Sequence, residues 1–288
     1  MHNSEWSLVF FTLLGQFSAG LVFCLLIFRV LGLHREINNT DKILRTGIYI
    51  AAASMIIALV ISFLHLSAPL SSVYAFSNLK QSWLSREILM VALFTAFLGF
   101  LSLYVYRSVT PAKHMTFLLL LATLNGFLMV YSMARIYMLP TIPAWDTPVT
   151  LINFFASGLL TGSAFFHVIF YQKTAEISEK TIQANAGKIY ITIIGLALVA
   201  RAVVFFLSGN AKIEDPIAFA PSSVQSADHI VAWALWLAGL GLLLWRVWNP
   251  SKNIKSFLNF YYLAFLCFVL AEILYRALFY SSFYRIGI

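Results

Sequence analysis

Eight long apolar stretches, each of about 20 residues or more, follow one another along this chain with short polar breaks between them. They run roughly Leu8–Leu31, Arg45–Leu66, Glu87–Tyr106, Met115–Leu139, Pro148–Tyr171, Gly187–Ser208, His229–Trp248 and Ser256–Tyr280. A stretch of this length crosses the hydrocarbon core of a bilayer as a helix, and lipid offers no partners for backbone amides, so each span must bond to itself. The expected fold is all-α: an integral membrane bundle of eight transmembrane helices forming a single membrane domain over residues 1–288. Composition agrees, because 61% hydrophobic and 10% charged residues exceed what one soluble core can hide. The first stretch follows Glu5 and Trp6 with neither a basic leader nor a small-residue cleavage site, so it is expected to stay in the mature protein.

Orientation follows from the basic residues, since short cytoplasmic loops carry an excess of Lys and Arg. Most of the 19 flank the connections after odd-numbered spans, among them Arg35, Lys42, Arg107, Lys113, Lys180 and Lys252. Those connections are expected on the cytoplasmic side of a bacterial inner membrane, with both termini on the periplasmic side. The net charge of +8 is then topogenic; anionic lipid of the bilayer suffices as its partner and no nucleic acid is called for. Trp6, Trp83, Trp145, Trp245 and Trp248 lie near span ends and read as interfacial anchors. The longer connections, Ser67–Arg86 and Gly209–Asp228, fall outside, which is where a soluble partner is expected to dock.

Ionisable residues are expensive inside a membrane and mark functional positions. His65 closes the second span, Arg86 and Glu87 open the third, and Arg135 and Arg201 stand one or two turns from the outer ends of the fourth and sixth. Glu272 and Arg276 lie in the outer half of the eighth. Singly, each has a structural reading: His65 as a helix-end cap, Glu272 and Arg276 as an i, i+4 ion pair, the arginines snorkelling to water. Together, seven groups from five spans share one leaflet, and the inner leaflet shows no such set; His167 and Arg29 are expected to reach water at the cytoplasmic ends. Elsewhere, Gly158 with Gly162, and Gly15 with Ala19, are small-residue pairs that let helices approach closely.

An imidazole and carboxylates at the outer lipid boundary suit a hydrophobic molecule with ionisable hydroxyls, and a quinol fits. Its oxidation releases two protons with two electrons; His65 can take a proton and Glu87 can relay it. The electrons must then leave for a partner or an internal centre. An iron–sulfur cluster usually needs four cysteines, and only Cys24 and Cys267 are present. No metal site is expected. Haem b remains an alternative, with His65 and His229 the one histidine pair able to share a level. A secondary transporter with its charged site in the outer leaflet is another, although such proteins favour midplane sites and inverted repeats.

The stretch HLSAPLSSVYAFSNLKQSWLSREI, from His65 to Ile88, resembles the membrane anchor subunit family of dimethyl sulfoxide reductase, which carries an HLG-x-P segment and an S-W-L-S-x-E pattern. ARIYMLPTIPAW at 134–145, AEILYRALFY at 271–280 and the opening EWSLVFFTLLGQFSAG extend the likeness from the first span to the last. The resemblance implies eight helices with both termini outside, and no haem or iron–sulfur cluster in this chain. It further implies menaquinol oxidation for a four-cluster iron–sulfur subunit on the periplasmic face, which feeds a molybdopterin catalytic subunit in anaerobic respiration. On that basis the chain is the quinol-oxidising part of an oxidoreductase complex, with no terminal reductase activity alone. By position, His65 and Glu87 correspond to the quinol site, with Arg86, Arg135, Arg201, Glu272 and Arg276 as binding or supporting charge. Ser67 replaces a usual glycine, and Ser71 stands where an arginine is common.

Overall fold

A computed structural model describes residues 3–33, 40–63, 78–107, 114–142, 144–174, 180–214, 223–249 and 254–282, without the side chains of residues 3–5, 180–185, 207–214, 223–227 and 254–257. The described residues form eight helices: α1 (Asn3–Val30), α2 (Thr40–Phe63), α3 (Trp83–Arg107), α4 (Met115–Tyr137), α5 (Pro148–Thr174), α6 (Lys180–Glu214), α7 (Ser223–Trp248) and α8 (Ile254–Ser281). Every one is long and apolar enough to cross a membrane. Hydroxyls within the spans are kept from lipid by bonding back along their own helix, as Thr123 Oγ1 does to Leu119 O at 2.8 Å and Thr161 Oγ1 to Ser157 O at 2.7 Å.

Helix ends follow local chemistry. The chain leaves α1 through Gly32, whose φ of 72° is the left-handed conformation that glycine adopts without penalty. Pro148 opens α5 at the first helical position, where its missing amide hydrogen is not needed. Ser82 caps α3, its Oγ accepting from the Ser85 amide at 3.3 Å. That cap starts α3 four residues before the expected Glu87 and so places Glu87 in the second turn rather than at the mouth. The described ends of the connection expected over Gly209–Asp228 are helical, since α6 continues to Glu214 and α7 begins at Ser223.

Helices α1 and α5 form the axis of the bundle. Two thirds of their spanning windows are buried, 67% in each, against 28% for α3 and α7, which face outward. α1 packs on α5, α2 and α4, whereas α8 joins the far side through α5 and α7. Glycine sets the α1–α5 crossing. A Cβ on Gly20 would run into the Gly158 carbonyl, one on Gly158 would lie 2.7 Å from Gln16 O, and one on Gly162 would meet the Gly20 backbone. The expected Gly15 and Ala19 pair faces α4 instead, against Met133 and Gly126. At 100° per residue, the stripe that meets α5 is the neighbouring one, through Gln16 and Gly20.

Candidate functional site

The end of the bundle that carries the start of α1 and the end of α8, here called the terminal face, holds most of the buried charge. Glu272 on α8 is 1% exposed and Arg201 on α6 is 2% exposed. Arg201 Nη1 donates to Glu272 Oε1 at 2.8 Å and Nη2 to Oε2 at 2.9 Å, a two-pronged ion pair. The pair is held from two more helices. Trp236 on α7 donates its indole N–H to Glu272 Oε1 at 3.0 Å. Ser157 on α5 lies 2.7 Å from Oε2 and accepts from Arg201 Nη2 at 2.8 Å, which also donates to Asn153 O at 3.0 Å. The guanidinium further sits 4.4 Å over the Trp236 ring and 4.9 Å over Tyr275.

Arg276 stands one turn beyond Glu272, and that i, i+4 spacing offered an intrahelical pair. The structure sends it elsewhere. Arg276 Nη2 donates to Gln16 Oε1 on α1 at 2.8 Å and to Ser157 Oγ at 3.1 Å, with the guanidinium 3.8 Å over the Phe154 ring. Ser157 is therefore the node at which both arginines and the carboxylate meet.

Glu87 differs in kind. Its side chain is 7% exposed, yet among the described residues it has neither an ion pair nor a hydrogen bond. Tyr137 and Tyr280 lie within electrostatic range of both Glu87 and Arg276. Tyr280 Oη donates to Tyr137 Oη at 2.9 Å. Packing fixes these rings: Tyr137 sits 5.5 Å from Trp145, 5.6 Å from Phe154 and 5.4 Å from Tyr280. Trp145, expected as an interfacial anchor, is instead 7% exposed and donates its indole N–H to Phe279 O at 3.0 Å.

Arg86 and Arg135 form a separate group at the rim. Both guanidiniums lie over Trp83, at 4.2 Å and 5.0 Å. Arg86 also donates to the carbonyls of Leu79 at 2.8 Å and Lys80 at 2.6 Å, which fastens the turn before α3. Neither joins the Arg201–Glu272 network. His65, Ser67 and Ser71 lie outside the described residues.

The opposite end of the bundle departs from expectation. His167 does not reach water: it is 1% exposed, with Nδ1 2.8 Å from Ser163 O and Nε2 3.3 Å from Gly187 O. Tyr171 and Tyr261, stacked on each other at 4.3 Å, flank it with ring centroids at 6.3 Å and 6.0 Å, and Arg246, 3% exposed, lies within electrostatic range of both tyrosines. A buried polar set thus exists at this end too. It escaped the sequence reading because tyrosines in apolar runs pass as packing.

The comparisons with known proteins agree with this architecture. The family described as DMSO reductase anchor subunit (DmsC) matches residues 1–282. This chain belongs to the DMSO reductase anchor subunit family. It is 29% identical to the anaerobic dimethyl sulfoxide reductase subunit YnfH of Escherichia coli (strain K12), over 84% of this chain and 82% of that one. To the C subunit of anaerobic dimethyl sulfoxide reductase from the same organism it is 25% identical over 98% and 96%, respectively. To the C subunit of the same name from Haemophilus influenzae it is 26% identical over 55% and 56%. No solved structure matches. With its eight spans, this anchor subunit is a multi-pass protein of the bacterial inner membrane. Among its described residues no three His, Cys, Asp or Glu side chains gather where they could hold a metal ion.

Several residues that hold the charges of this anchor subunit were not singled out by sequence: Gln16, Asn153, Ser157, Trp236, Tyr137 and Tyr280. A signal existed for some. Asn153, Ser157 and Thr161 repeat every four residues on α5 and so form one polar stripe. Gln16 is the one carboxamide within the apolar stretch of α1, and Trp236 lies too far from either end of α7 for a headgroup anchor.

Proposed function

We propose that this anchor subunit oxidises menaquinol near the terminal face and passes the electrons to an iron–sulfur partner. That partner docks on the same face and feeds a molybdopterin catalytic subunit. The observation that carries the reading is Glu87, a buried carboxylate without a counterion or hydrogen bond among the described residues. A carboxylate in that state is costly unless a ligand or a proton satisfies it. Arg201 and Arg276 are committed to Glu272, Ser157 and Gln16, Arg86 is committed to loop carbonyls, and no arginine pairs with Glu87 among the described residues.

In this mechanism the quinol lies against the start of α3. His65 accepts the first hydroxyl proton, Glu87 relays protons outward, and two electrons leave for the partner's nearest cluster. Arg201, Glu272 and Arg276 act as supporting charge, and Arg86 and Arg135 shape the rim. The terminal face is periplasmic in this reading, as the distribution of Lys and Arg indicates.

The test uses the complete complex in membranes, driven either by a quinol or by reduced viologen, a soluble donor that bypasses the anchor. His65→Arg and Glu87→Gln are expected to abolish quinol-dependent turnover while the viologen-driven rate shows an assembled complex. Quinol turnover equal to that of the parent in both variants would end the proposal.

A further inference from the structure

The two arginines of the rim have no anion. Between Asp41 and Asp146 the sequence carries a single acidic residue, Glu87, which is buried and makes no ion pair among the described residues. Neither Arg86 nor Arg135 makes one there either. Both guanidiniums are nevertheless drawn to one side chain, the Trp83 indole, at 4.2 Å and 5.0 Å, and Tyr131 meets that indole edge-on at 5.6 Å. Lys80 is exposed on the turn that Arg86 holds and adds a third cation to the rim. Like charges gathered at one ring repel unless an anion joins them.

We infer that Arg86 and Arg135, grouped around Trp83, bind the phosphate of an anionic phospholipid headgroup. Donors remain open for it. Arg86 spends Nε on Leu79 O and Nη2 on Lys80 O, which leaves Nη1. Arg135 gives Nη1 only to the Met138 sulfur, a weak acceptor, at 3.8 Å, and its buried Nε meets no acceptor among the described residues. Guanidinium N–H groups of this kind bind phosphate oxygens through charge-assisted hydrogen bonds.

The face of α4 that leads to Arg135 favours a lipid over a protein. Leu121, Leu124, Leu128, Tyr131 and Arg135 recur every three or four residues and so form one stripe. The first four are exposed, and from Leu121 to Tyr131 the helix rises about 15 Å, half the thickness of the hydrocarbon core. Arg135 therefore tops an apolar face one leaflet deep. An acyl chain can lie along that face with its phosphate at the two guanidiniums, while Trp83 and Tyr131 take the headgroup level that suits amphipathic rings. A soluble subunit reaches the end of the bundle and not such a face. Because Arg86 also fastens the turn before α3, a phosphate held there ties that turn to the bilayer. The site needs a bilayer and no quinol, so it stands independently of the role proposed above.

The test takes the complete complex, stripped of lipid in detergent, and titrates it with phosphatidylglycerol or with zwitterionic phosphatidylcholine, counting bound lipid by native mass spectrometry. The parent is expected to bind its first phosphatidylglycerol more tightly than phosphatidylcholine. Arg86→Gln and Arg135→Gln should each weaken phosphatidylglycerol by about fivefold, and the double variant by roughly twentyfold, with phosphatidylcholine unchanged. Lys188→Gln, an exposed position at the opposite end of the bundle, should keep the parental affinity. If Arg86→Gln fails to assemble, Arg135→Gln carries the test, since Arg135 holds no loop carbonyl. Parental phosphatidylglycerol affinity in Arg135→Gln, or an equal loss in Lys188→Gln, would overturn the site. Displacement of the lipid by an equal concentration of inorganic phosphate would overturn the lipid as the source of the anion. Arginine variants that shed the partner subunits yet keep parental lipid affinity would assign the pair to a protein carboxylate and overturn the proposal.

Discussion

Two carboxylates buried in the same half of the bundle have opposite surroundings. Glu272 receives both prongs of Arg201, an indole N–H and a serine hydroxyl, whereas Glu87 has none of these among the described residues. A buried charge that is fully bonded holds helices together, and its atoms have little left to offer a ligand. A buried carboxylate left open costs stability, and it stays where chemistry uses it. On the quinol-oxidising role proposed above, the contrast separates what keeps the bundle assembled from what it works with.

The comparison can be broken most severely at Glu272. Glu272→Leu leaves Arg201 and Arg276 buried with no anion, a loss of about 3–5 kcal/mol of the kind seen when one partner of a buried pair is removed. The variant anchor is expected to be absent from membranes by immunoblot. Arg201→Met combined with Glu272→Leu should recover part of that loss, because one fewer charge is then stranded. Failure of the double variant to accumulate above either single one would show that the pair is not the unit of stability.

Gly20→Val comes next. It forces the α1–α5 backbones apart at a contact where the obstructing atoms belong to main chain and cannot swing away. Overpacking of this type costs about 1–3 kcal/mol or more, to be read as a lower melting temperature of the detergent-solubilised complex. Gly99→Ala, where an added Cβ meets nothing within 4 Å, is the matched control.

Glu87→Gln should have the opposite profile to Glu272→Leu. Removing an unpaired buried charge is expected to leave the melting temperature unchanged or raise it slightly, although quinol turnover is lost. A clear fall in thermal stability would mean that Glu87 is a structural anion after all. The smallest effect belongs to the rim: Arg86→Ala gives up one cation–π contact and two carbonyl bonds near the surface, about 1 kcal/mol. Hydrogen exchange of residues 78–82 is the sensitive measurement there.

Legibility in the sequence varied with the kind of question. The spans were readable because lipid imposes one requirement on every residue of a helix, and apolar length alone reports it. Helix ends were less so: the Ser82 cap and the extension of α6 to Glu214 depend on single hydrogen bonds and on polar turns that hydropathy does not weigh. Charge within the spans drew attention to Arg201, Glu272 and Arg276, and the structure joins them. The i, i+4 spacing nevertheless suggested the wrong partner for Glu272. Ser157 and Trp236 went unnoticed because serine and tryptophan are ordinary in membrane helices until a neighbour turns them toward a charge.

By itself the sequence determined that the chain has eight spans, that ionisable groups crowd one end of them, and that it carries the motifs of an anchor subunit. These are properties of the residues in order, and a bilayer reads them one helix at a time. Only the tertiary structure decided which cation meets Glu272, that Gly20 rather than Gly15 faces α5, and that Glu87 is buried with no cation of its own among the described residues. The reason is rotational: a partner is chosen by the angle at which each helix presents a side chain. The glycine contacts along α1 and α5 help fix that angle, and no single span contains it.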